Sequence, residues 1–141
     1  MMTADEILGA LELGDGPRRV LVIEDSLGWL LALTDFLESR GHFVTPMTGV
    51  LDVTSECVEG LGIDGTELVP CPSIGEIDVV FLDYNFAGGK HNGASFLQEF
   101  RLYSQALVFG MSSDVGCNSV LDRLGATVTM QKSRLKFLLR D

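Results

Sequence analysis

A chain of 141 residues, 46% of them apolar and 21% charged, suits one globular domain with a sizeable core and excludes a disordered segment. Its net charge of −10 sets the surface against nucleic-acid phosphates and anionic membranes, so no direct nucleic-acid or membrane contact is expected and a basic protein partner suits it better. No apolar run is long enough to cross a bilayer, the acidic start MMTADEILGALE lacks a secretory n-region, and three cysteines without a CxxC pair read as reduced thiols, which together place the chain in the cytoplasm.

In chain order, TADEILGALEL (residues 3–13) has the capping-box spacing Thr3–Glu6 and one apolar face, which predicts a short helix within an N-terminal extension, residues 1–17. RRVLVIEDS follows. Its run Val20–Ile23 is continuously apolar, as in a strand buried on both faces, and it meets Glu24 and Asp25. Ser26 can cap the helix LGWLLALTDFLESR, whose Leu30, Leu33, Phe36 and Leu37 point to a core and whose stop is Gly41. HFVTPM is a second strand. A long insert at about residues 52–76 comes next, in which LDVTSECVEGL reads as a helix and Gly62, Gly65, Pro70 and Pro72 as an irregular loop. IDVVFLD is the third strand, FAGGKHNG a loop and ASFLQEFRLYS an amphipathic helix. ALVFGM is the fourth strand, VGCNSVLDRLG a helix and ATVTMQK the fifth strand. The closing SRLKFLLRD makes about two helical turns.

Strands alternating with helices predict a doubly wound α/β domain with a five-stranded parallel sheet. Such sheets bind ligands beyond the carboxyl ends of their strands. Those ends carry Glu24 and Asp25 on the first strand, Asp83 on the third, Ser112 on the fourth and Lys132 on the fifth. Clustered carboxylates repel unless protonated or joined by a cation, and an all-oxygen set with room for water and phosphate suits Mg²⁺. A metal-neutralised aspartate can attack phosphorus and form an acyl phosphate, with a lysine and a hydroxyl placed on the phosphoryl oxygens.

The set VIEDS, VFLDYN, NGASFL, VFGMSS and MQK resembles the receiver domain of two-component response regulators, over roughly residues 18–141. The resemblance implies the flavodoxin-like receiver fold with strand order 2-1-3-4-5. It implies Asp83 as phosphoacceptor, Asp25 as direct Mg²⁺ ligand, Glu24 acting on the metal through water, and Asn85 donating a backbone carbonyl. Ser112 and Lys132 match the hydroxyl and lysine that meet the phosphoryl group, and Gly93 the glycine after the phosphoacceptor loop. It further implies a histidine kinase or phosphotransfer protein as phosphate donor, a downstream protein target, at most slow self-dephosphorylation, and a stand-alone receiver, since no output domain follows. A homodimer is left open. The chain departs from the family pattern in Ser133, which stands where a proline usually follows the lysine. It departs again in Thr129, at the usual place of a switch aromatic, and in the long loop before Gly93, the long insert and the short final helix.

Other motifs carry less. GLGIDG (residues 60–65) matches a dinucleotide fingerprint but lacks the strand before it and the helix after it. Asp83-Tyr84-Asn85 opens like an EF-hand loop, yet its twelfth position is Ala94. Zinc through Cys57 and Cys71 lacks a nearby His or a second cysteine pair. Two rivals share the rim chemistry. A haloacid-dehalogenase-like phosphatase has its acidic pair last and a second Asp where this chain has Asn85. A pseudo-receiver would act as a binding module without taking phosphate.

Overall fold

A computed structural model describes residues 17–86 and 91–138. The expected N-terminal helix (residues 3–13) and part of the loop before Gly93 lie outside the described residues. Five strands form one parallel sheet: β1 (Arg19–Ile23), β2 (Phe43–Met47), β5 (Val79–Asp83), β6 (Leu107–Ser112) and β7 (Val128–Gln131). Their order is β2-β1-β5-β6-β7, which is 2-1-3-4-5 when only the strands of this sheet are counted. The continuous apolar runs explain the middle of it, because β5 is buried at every position and β1 at all but Arg19.

Alternate residues of each strand feed two cores. On one face Val20, Val22, Val79, Phe81, Phe109 and Met111 pack with α1 (Leu27–Ser39) and with Leu135 of α4 (Lys132–Leu138). Phe81 and Phe109 stack there with ring centroids 5.0 Å apart. Leu30, Leu33 and Leu37 of α1 are buried and Phe36 is half-buried, and Gly41 ends the helix at φ +88°. On the other face Leu21, Ile23, Val80, Leu82 and Val108 meet α2 (Gly93–Phe100) and α3 (Val115–Arg123), with Phe96, Phe100 and Leu121 fully buried.

The insert corrects one expectation. LDVTSECVEGL does not form a helix. Its residues belong to an antiparallel hairpin, β3 (Gly49–Val53) with β4 (Val58–Leu61). The β-branched residues Val50, Val53 and Val58 are buried on the second core, where β propensity and burial coincide. Thr54 closes the turn, its Oγ1 accepting from the amides of Glu56 and Cys57 at 3.2 and 3.1 Å. A register shift between Val50 and Asp52 breaks the two-residue alternation that would have marked β3 as a strand. The rest of the insert is irregular apart from a 3₁₀ turn at Ile74–Glu76 and bridges Cys57↔Ser73 and Leu61↔Glu67.

Gly60 is the tightest point of the hairpin. A Cβ there would overlap the Sδ of Met47 and lie 2.8 Å from the Gly49 carbonyl oxygen. Gly60→Ala should therefore destabilise the domain by about 1–3 kcal/mol in urea unfolding. An unchanged midpoint would contradict this packing of β4 against β2 and β3.

Candidate functional site

Strand register sets the rim. Ile23 is level with Leu82, Asp83 with Met111, and Ser112 with Gln131. Glu24, Asp83, Ser112 and Lys132 thus emerge at the same edge, one residue after or at the end of their strands. The backbone continues to pair past β1, since the Glu24 amide donates to the Met47 carbonyl at 2.9 Å. That bond holds Glu24 in the wall of the sheet, where its side chain is fully buried. Asp25, the next residue, turns outward and is exposed.

Lys132 is the first residue of α4, and its ammonium reaches back across β6 to both acids. Nζ lies 2.7 Å from Glu24 Oε2 and 3.2 Å from Asp83 Oδ2. The Asp83 contact is a hydrogen bond, whereas the Glu24 contact is an ion pair whose Oε2 makes no aligned bond. The other carboxylate oxygens take backbone donors: Asp83 Oδ1 accepts from the Tyr84 amide at 2.8 Å and Glu24 Oε1 from the Ser26 amide at 3.0 Å. Ser26 occupies the N-cap position of α1 but makes no side-chain cap bond. The ring of Trp29, one turn into α1, lies with its centroid 5.7 Å from the ammonium.

Burial pushes the Glu24 carboxyl up to about 7, against the pull of Lys132 and with added repulsion from Asp83. Asp83 is also raised, first by burial, with Lys132 opposing. Burial works against the charge of Lys132, yet the close contacts and charges of Glu24 and Asp83 together outweigh it and hold the ammonium above its ordinary value.

One carboxylate oxygen from each of Glu24, Asp25 and Asp83 lies within 4.8 Å of the others. Three hard oxygen donors at that spacing, two nearly out of solvent and one exposed, fit a small divalent cation that keeps some of its water. No second cluster of this kind forms among the described residues, and Cys57 with Cys71 gains no third ligand. Asn85 sits two residues past Asp83 and is exposed. Gly93 closes the loop. Its amide donates to the Tyr84 carbonyl at 2.6 Å, and a Cβ on it would overlap the Asp83 carbonyl oxygen.

Ser112 is buried, and its Oγ accepts from the Asp114 amide at 3.1 Å. Thr129 faces α3: its Oγ1 donates to Asp122 Oδ2 at 3.1 Å. Among the described residues the cis peptide is Val69–Pro70, and none precedes Ser133. Two side chains at the rim were not singled out from sequence. Trp29 had a signal, since it lies four residues from Asp25. Asn118, buried in α3 with Nδ2 donating to the Ser112 carbonyl at 3.2 Å, reads in sequence as one polar residue of a helix.

No protein-family model matches the sequence and no curated protein matches it. Solved structures do. A two-component response regulator from Clostridium difficile is similar at 14% identity, with 87% of this chain and 96% of that one covered and a TM-score of 0.57. The BeF3-activated receiver domain of RstA from Klebsiella pneumoniae is similar at 13% identity, covering 88% and 100%, with a TM-score of 0.58. A response regulator protein from Burkholderia pseudomallei, solved with a phosphorylated aspartic acid and a calcium ion, is similar at 16% identity over 82% of this chain and 59% of that one, with a TM-score of 0.56. The chain has the fold of response-regulator receiver domains.

The raised Glu24 value makes stability depend on pH. The folded protein holds that proton more tightly than the unfolded chain does. The contribution is complete below the ordinary carboxylate value of 4.5 and is lost as pH rises through about 7. The metal-free protein should lose about 1–3 kcal/mol from this group between pH ~5 and ~8. Glu24→Gln should flatten that decline in urea unfolding across the range. An equally steep decline in the variant would show that Glu24 is not the responsible group.

Proposed function

We propose that the chain is a phosphoacceptor receiver domain that takes a phosphoryl group on Asp83. The observation that carries this reading is the Glu24–Lys132–Asp83 contact set beside exposed Asp25, at the carboxyl edge of a receiver-fold sheet. Glu24, Asp25, Asp83 and the Asn85 carbonyl would hold Mg²⁺. When bound, the cation supplies charge neutralisation for the anionic phosphoryl donor and acceptor.

The protein groups divide the remaining work. A carboxylate oxygen of Asp83 attacks phosphorus of a phosphohistidine. The O–P bond forms and the P–N bond breaks, its electron pair staying on nitrogen; the imidazole, already protonated on its other ring nitrogen, leaves as the neutral ring. Lys132, already bonded to Asp83, stays charged and offsets negative charge on the transferring group. Ser112 exchanges its Asp114 bond for one to a phosphoryl oxygen. Tyr84 donates its amide to the carboxylate and fixes its plane. The domain then works through protein contacts: a histidine kinase or phosphotransfer protein supplies the phosphate, and a downstream protein reads the altered surface. It is a signalling component rather than a turnover enzyme. No described helix is long and apolar enough to cross a membrane.

Incubation with acetyl phosphate and Mg²⁺ should add one phosphate to the intact mass, labile to base and missing in Asp83→Asn. A chain that stays unmodified under every small-molecule donor would instead be a pseudo-receiver, and multiple turnover of para-nitrophenyl phosphate would mark a phosphatase. The cation has its own test. The sequence has one tryptophan, and that residue, Trp29, lies beside Lys132. Mg²⁺ should therefore change its fluorescence, and Asp25→Ala should weaken the titration at least about tenfold. Equal affinity in the variant would move the metal elsewhere.

A further inference from the structure

Three hydrogen bonds interlock Ser112 with the head of α3. The Asp114 amide donates to Ser112 Oγ at 3.1 Å, the Asn118 side-chain Nδ2 donates to the Ser112 carbonyl at 3.2 Å, and the Asn118 amide donates to the Asp114 carbonyl at 3.1 Å. Asp114 is also the N-cap of α3, its carboxylate accepting from Gly116 and Cys117 at 2.7 and 3.2 Å. Asn118 is 7% exposed, and its Oδ1 meets no donor among the described residues. A buried amide with one half satisfied and one half idle is costly unless the idle half has a use.

We propose that Asn118 is the positioning residue that couples Ser112 to helix α3, so that a change at the phosphoryl site moves that helix. This deepens the phosphoacceptor reading and rests on it. When Ser112 Oγ leaves Asp114 for a phosphoryl oxygen, the Asp114 amide loses its acceptor. Asn118 Oδ1, one helical turn along and buried, is the acceptor free to take it, while Nδ2 keeps the Ser112 carbonyl. Exchange of that bond draws the first turn of α3 with the serine. Thr129 does not share this task, because its hydroxyl is already spent on Asp122 of the same helix. Instead that bond ties the far end of α3 to β7, so motion at its head becomes a pivot.

The test is a comparison of amide NMR shifts with and without beryllium fluoride and Mg²⁺, in the wild type, Asn118→Leu and Asn118→Ala. The wild type should respond both at the rim (Tyr84, Ser113) and along residues 115–123. In both variants the rim response should persist while the α3 response falls about fivefold or more. A merely structural role for Asn118 would alter both sets or neither. An undiminished α3 response in the variants, or a wild-type response confined to the rim, overturns the coupling. A wild type without any rim response overturns the phosphoacceptor reading, and the coupling with it.

Discussion

One ammonium group between two buried carboxylates organises the carboxyl edge of this domain. Lys132 lies 2.7 Å from Glu24 and 3.2 Å from Asp83, and both acids are almost wholly out of solvent. Removing charges from water is costly, and the attraction between them offsets that cost only where geometry is held firmly. Here the sheet supplies the firmness. Glu24 is fixed by its amide bond to Met47, Asp83 ends a fully buried strand, and Lys132 opens a helix directly after β7. Taken as ionised, the two acids and the lysine leave one negative charge, and Asp25 adds another. The same arrangement that strains the apo protein at high pH makes a cation welcome.

The cover on the second core differs from the alternating helix pattern without disturbing this edge. The hairpin β3–β4 fills the place between β2 and β5 that a crossover helix would occupy, and Val50, Val53 and Val58 bury the same kind of surface. A parallel sheet requires its faces covered by something apolar, not by a helix in particular. Site chemistry and outer cover are therefore separable here: the rim residues come from the two positions after β1, the ends of β5 and β6 and the start of α4, and none from the insert.

What was legible in the sequence follows from how each element is encoded. Val20–Ile23 and Val79–Leu82 are unbroken apolar runs that stop at acids, so both the strands and their ends could be read directly, and with them the gathering of Glu24, Asp25, Asp83, Ser112 and Lys132. The hairpin could not. Its bulge between Val50 and Asp52 breaks the alternation, and the reason for Gly60 lies in Met47 and Gly49, which meet it only in the folded hairpin. Ser26 looked like a cap, but the proximity of Glu24 gives its backbone amide a different partner. Asn118 was hidden for a related reason: its partner is a backbone carbonyl six residues back, which no side-chain pattern reports.

The proposed signalling role turns on Asp83 as the group that takes the phosphate. An acyl phosphate on an aspartate is reduced by borohydride to homoserine, which marks the residue permanently. After treatment with acetyl phosphate and Mg²⁺, reduction and peptide sequencing by mass spectrometry should find homoserine at position 83 alone. Homoserine at Asp25 or elsewhere, or its absence from a protein that has gained phosphate, would overturn Asp83 as the phosphoacceptor.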